Sequence, residues 1–303
     1  MRVIEVFSGP VRSIAVSPDG RFLAAASGYV CGVFDLLAGD QIRSLELNEP
    51  EIQPVFTGDP ALVIAGRTGL LRTDLVRGAM FRVAGGPFSG GVAASPDGKT
   101  LVATREGPHQ GVKLEQWDLA GWQAKPSFDY WSPFLRLAFS ASGESLAGIN
   151  RLCFELRYAH SGGLNKNVFA TQFLADPARF RRPNRGVPAP RHALLSFPRQ
   201  GETVVFGWDA ELQVMETNAG NILRWVRSPG DSFVDVAFLG SGRLLATVDG
   251  TSTMRIWSAE TWEVIREYDW GAGALTCVTA SPDGLAGVCG TDAGRVVVFD
   301  VDE

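Results

Sequence analysis

The words Ser-Pro-Asp-Gly occur at 17–20, 95–98 and 281–284, each time between two short runs that alternate apolar and small residues. Each is a β-hairpin by composition, because Pro presets φ at the first corner, Asp bonds back to its own backbone, and Gly takes the positive φ that twisted strands require. Weaker copies of the frame surround Gly143, Gly201 and Gly242, so the turn glycines stand at 20, 98, 143, 201, 242 and 284. The steps between them are 78, 45, 58, 41 and 42 residues. The first step is two periods of about 39, and "PVFTGDPALVIAG" at 54–66 supplies the hidden unit, with Pro60 forcing a different turn from the glycine hairpins. Seven units result.

One unit reads as four short strands, most plainly in the sixth: "FVDVAFL" (233–239), "RLLATV" (243–248), "TMRIWS" (253–258) and "EVIREY" (263–268). Four strands in about 40 residues predict a propeller blade, which cannot bury both faces alone but can when neighbours pack on each side. The expected fold class is therefore all-β, a seven-bladed β-propeller of four-stranded antiparallel blades filling residues 1–303 as a single domain. The chain stops at a third strand, "RVVVFDVDE", while "RVIEVF" at 2–7 belongs to no other unit. The ring is thus expected to close by the N-terminal strand pairing in the last blade.

The hairpins, together with third strands ending in Phe34-Asp35, Trp117-Asp118 and Phe299-Asp300 and their variants Trp257-Ser258 and Thr73-Asp74, resemble the WD40 family of β-propellers over essentially the full length. The repeats are divergent and bacterial-type in their turns. The Gly-His pair that precedes many blades of that family is missing, so its His-Ser-Asp-Trp hydrogen-bond network is not expected in any blade. The resemblance implies a protein-interaction role.

The net charge of −5 provides no overall basic field for nucleic acid or an anionic membrane. No apolar run approaches the ~18 residues of a membrane-spanning helix, and the first ten residues lack a signal-peptide core, so a cytoplasmic location is expected. Cys31, Cys153, Cys277 and Cys289 all fall in strands as small apolar residues; a Cys277–Cys289 bridge between adjacent strands would need an oxidising compartment.

Catalytic motifs are missing. His109, His160 and His192 are separated by the blade map, and there is no Cys-x-x-Cys, Gly-rich phosphate loop or Gly-x-Ser-x-Gly elbow. No cofactor and no metal site is expected. Asp19, Asp97 and Asp283 recur at one turn position, and Asp35, Asp118 and Asp300 at one strand end, so both sets are read as structural.

Propeller loops divide between two faces. One face carries the first-to-second and third-to-fourth hairpins and is spare here; the other carries the fourth-to-first and second-to-third connections and holds Tyr29, Phe88, Tyr130, Trp131, Phe180, Trp208 and Trp270. Aromatics gathered on one face are the makings of an interface, although each has the alternative of folding onto its own loop. The step of 58 is explained by an insertion at about 174–190, between blades four and five, which holds Phe180 and the arginines Arg179, Arg181, Arg182 and Arg185. Arginine suits forked contacts with carboxylate or phosphate, so an acidic or phosphorylated segment of a protein or peptide is the expected partner, pairing of the loop with the protein's own acids being the alternative.

A non-catalytic binding scaffold is accordingly the leading function. The alternative is a lactonase-like or lyase-like propeller enzyme with a site at the channel mouth, for which Arg136 and Asp235, at equivalent inner-strand positions, are the candidate lining. Nucleic-acid binding rests on the arginine segment alone and conflicts with the overall charge.

Overall fold

The computed structural model describes residues 1–301 apart from 48, 50, 51, 59, 60, 76, 89, 108–111, 131, 132, 152, 160–163, 170–190 and 231, with backbone only for 128–130, 158 and 164–169. Seven four-stranded antiparallel sheets form the ring. Blade 1 runs Ser13–Val16, Phe22–Ser27, Val30–Asp35 and Gln41–Glu46 from channel to rim. Blades 2 to 6 repeat that order, and their innermost strands are Gln53–Phe56, Val92–Ala94, Arg136–Phe139, Ala193–Ser196 and Asp235–Leu239.

The burial of each strand follows from its depth in the blade. The second strand of blade 1 is buried along its middle on both faces, whereas its outermost strand is exposed at four of six positions. Seven apolar clusters result, one at each blade-to-blade seam: Ala24, Val33, Ile52 and Leu62 between blades 1 and 2, for example, and Phe154 stacked on Phe206 at 3.8 Å between blades 4 and 5. A blade's two faces are thus both core, which is why the alternating pattern of the inner hairpins gives way to near-continuous apolar runs in the second strands.

The last blade closes the ring as the sequence requires. Its order is Leu275–Ala280, Ala286–Thr291 and Arg295–Asp300, then Arg2–Glu5 on the outer edge. Arg2 faces Val298 and Ile4 faces Val296 in that pairing. Beyond the strand, the Val6 and Phe7 N–H groups both donate to Gly294 O at 3.0 Å, and Val11 N–H donates to Thr291 O at 2.9 Å. The Arg2 guanidinium donates to the Leu36 and Leu37 carbonyls, tying the latch to blade 1 as well.

The turn chemistry repeats as closely as the words do. In blade 3, Ser95 Oγ donates to Asp97 Oδ1 at 2.5 Å and accepts Thr100 N–H at 2.9 Å, while Asp97 Oδ1 accepts Lys99 N–H at 3.0 Å. The same three contacts recur at Ser17–Asp19 and Ser281–Asp283. Gly20, Gly98 and Gly284 hold φ of 72°, 67° and 76°, the left-handed geometry for which the turn needs glycine. The Pro60 turn lies outside the described residues. All four cysteines are buried and free, and Val278, not Cys277, stands opposite Cys289, so the two thiols are out of register.

Candidate interaction site at the channel mouth

On the face carrying the fourth-to-first and second-to-third connections, the channel opens into a cavity of about 850 Å³. Five arginines line it, delivered by different local structures. Arg12 lies in the connection into blade 1, Arg67 and Arg151 in the second-to-third turns of blades 2 and 4, and Arg191 in the entry to blade 5. Arg136 begins the innermost strand of blade 4. Apolar wall is interleaved with them at Ile52, Leu135 and Val234.

Arg12, Arg67, Arg151 and Arg191 are exposed, and their guanidinium groups make no ion pair with any described residue. Acids stand close by without neutralising them: Glu106 lines the rim, and the buried Glu49 spends its carboxylate on Thr68 N–H at 2.6 Å and Thr68 Oγ at 2.7 Å. The mouth is consequently a concentrated positive field on a protein of net charge −5, and its low-dielectric walls strengthen that field for any anion entering.

Arg136 is half-buried and reaches across blade 5, where its guanidinium stands 3.5 Å from Asp235 Oδ1 of blade 6. Asp235 is held separately, its other oxygen accepting Val278 N–H of blade 7 at 3.0 Å. Both residues also line a lower chamber of about 310 Å³, with Ser196, Cys277 and Thr279, so this pair forms the floor of the mouth. His192 sits on the mouth wall, and burial pushes its pKa below the ordinary 6.5, opposed by Asp209. Asp209, at φ 44°, accepts the Arg191 and His192 N–H groups at 3.0 and 2.9 Å and fixes the entry to blade 5. Among the described residues no group of three or more His, Cys, Asp and Glu could hold a metal ion.

The aromatics expected on this face divide. Tyr29 projects from its turn and is 57% exposed. Phe88 is 3% exposed and 5.7 Å from the Trp117 ring in the seam between blades 2 and 3, so it lines the cavity from a mostly buried position. Trp208 is half-buried and donates Nε1–H to Asn150 O at 2.7 Å, bridging blades 4 and 5. Trp270 stacks on Tyr268 at 5.7 Å and leans on Phe299 at 5.2 Å. Tyr130 ends the outer strand Gln123–Tyr130 of blade 3, its side chain undescribed. Trp131, Phe180, Arg181, Arg182 and Arg185 lie outside the described residues, as does the whole insertion at about 174–190. Sequence reasoning passed over Arg12, Arg67 and Arg151, whose signal was available: each stands alone in one of the short connections assigned to this face.

The family described as WD domain, G-beta repeat matches residues 1–35. That segment holds the latch strand and the first three strands of blade 1, ending at Phe34-Asp35, so the sequence repeat begins one strand earlier than the blade. Seven four-stranded blades around one ring decide the architecture. The chain is a seven-bladed β-propeller whose first repeat matches the WD40 family. No curated protein matches it. WD40 propellers are commonly protein-interaction scaffolds and typically not enzymes, and among the described residues no helix is long and apolar enough to cross a membrane.

Proposed function

We propose that this propeller is a non-catalytic scaffold that receives an acidic segment of a protein partner at the channel mouth. The observation that carries the reading is the set of four rim guanidiniums, Arg12, Arg67, Arg151 and Arg191, which have no ion pair among the described residues and converge from four blades on one cavity. Cations clustered around one cavity raise the encounter rate with an acidic partner and give specificity through complementary charge. On the opposite face, by contrast, Arg21, Arg77 and Lys99 each have a carboxylate within 4 Å, Asp35 at 3.9 Å, Asp74 at 3.9 Å and Asp97 at 3.7 Å. The apolar stretches of the mouth and the exposed Tyr29 ring supply the contact area that charge alone lacks.

The test is affinity capture with the wild type beside the triple variant R12S/R67S/R151S, matched for melting temperature. Partners held at low salt by the wild type and lost by the variant support the reading. A partner set that the triple variant retains in full overturns it.

A further inference from the structure

We propose that Arg136 is the anchor of a phosphate-binding subsite at the floor of the channel mouth. The inference rests on the mouth being the interaction face, and it adds the chemistry of what is bound there.

The guanidinium of Arg136 has five donors in a fixed fork, yet its one ion-pair partner among the described residues is Asp235 Oδ1 at 3.5 Å, beyond the range of a charge-assisted hydrogen bond. Asp235 does not depend on that contact, because Val278 N–H already holds its other oxygen. The pair is therefore exchangeable: a stronger oxyanion entering from above can take the fork while Asp235 keeps its backbone donor. Arg136 lines both the mouth and the lower chamber, which places the fork where the channel narrows between them.

Charge and donor number select phosphate over carboxylate. At Arg136 itself, a carboxylate brings two oxygens and one charge, which the fork alone satisfies. A phosphate group carries ~−1.5 to −2 at pH 7 and three acceptor oxygens, so it can fill the Arg136 fork with two oxygens and outcompete the singly charged Asp235 for it. The mouth volume of about 850 Å³ is far larger than a phosphate alone, so the group arrives on a larger body, either a phosphorylated side chain of the partner or a free phosphorylated molecule.

Calorimetry of the full chain with three probes distinguishes the sources: inorganic pyrophosphate, a phosphoserine peptide, and the same peptide with Asp in place of phosphoserine. The phosphoserine peptide is expected to bind 1:1 and at least tenfold more tightly than the Asp peptide. R136Q should weaken it by at least tenfold, with R136K recovering only part of the loss, because an ammonium replaces a fork. D235N should tighten binding by removing the internal competitor. If R136Q is poorly folded, R136Q/D235N removes both charges of the pair and serves in its place. Binding of pyrophosphate in the same Arg136-dependent way identifies free phosphate as sufficient; its failure beside a bound phosphopeptide identifies the peptide as the carrier. Equal affinity for the Asp and phosphoserine peptides, or binding indifferent to Arg136, overturns the subsite while leaving the scaffold reading to its own capture test. No binding of any probe also overturns it.

Discussion

Gly294 is the point at which the ring closure is most exposed to a single substitution. It sits at φ +78°, and a Cβ built there would stand 2.0 Å from Phe7 O and 2.9 Å from Gly9 O. Its own carbonyl accepts the Val6 and Phe7 N–H groups. Gly294→Ala therefore meets two costs. Left-handed backbone costs an alanine about 1 kcal/mol, and moving the Phe7 carbonyl aside loses those two hydrogen bonds at about 1 kcal/mol each. For 303 residues the unfolding entropy is about 0.6 kcal/mol/K, at roughly 2.1 cal/mol/K per residue, so about 3 kcal/mol lowers the melting temperature by about 5 °C. Gly271→Ala is the matched control: φ is +60°, but nothing lies within 4 Å of the added Cβ, so only the backbone cost of about 1 kcal/mol applies, or about 2 °C. Differential scanning calorimetry of the two variants beside wild type reads the difference. Equal shifts would refute the latch as a contributor to stability.

The Asp97 and Asp283 carboxyls are held below the usual 3.8, first by the Ser95 and Ser281 hydroxyls and then by turn N–H groups. A depressed folded pKa contributes stability above the unfolded value and loses it as pH falls through the folded one, so the wild-type advantage in melting temperature over D97N/D283N should shrink from pH 6 downward and vanish well below 3.8. Burial pushes the Cys31 and Cys277 thiols up to about 12 and Cys153 up to about 11, and Cys289 also rises. A thiol reagent at pH 8 should thus titrate none of the four in the native protein and all of them in guanidinium chloride; fast native labelling would contradict the packing. Trp208→Phe removes the Nε1–H bond to Asn150 O and should cost about 1 kcal/mol. If Trp208 is a strut between blades, partner capture should be unchanged, and loss of capture in a stable variant would make it a binding residue.

The ring was legible because its signals are local. A Pro-Asp-Gly corner, a strand ending in an aromatic residue and Asp, and a 40-residue period each follow from backbone chemistry that acts within a few residues. Closure could be read by counting strands. The site was less legible, because membership of a loop places a residue on a face without saying where its side chain turns. Phe88 and Tyr29 occupy connections of the same face, yet the first finds Trp117 across a seam and the second meets no ring among the described residues. Trp208 and Trp270 likewise meet partners 58 and 29 residues away, Asn150 and Phe299, that only the ring brings near. The Arg136–Asp235 pair was foreseeable as two equivalent inner-strand positions, but not as a contact spanning a blade. Arg12, Arg67 and Arg151 lie in three different blades' connections, and their convergence depends on the circular arrangement alone.

Site-specific photocrosslinking in the native cell tests the central claim most directly. A photoreactive phenylalanine derivative replaces Tyr29, on the mouth face, or Leu37, 83% exposed in the third-to-fourth turn of the same blade on the opposite face. The account predicts crosslinks to a discrete partner protein from position 29, lost on adding R12S/R67S/R151S, and none from position 37. Crosslinks from position 37 with none from 29 would place the interaction on the other face and contradict it.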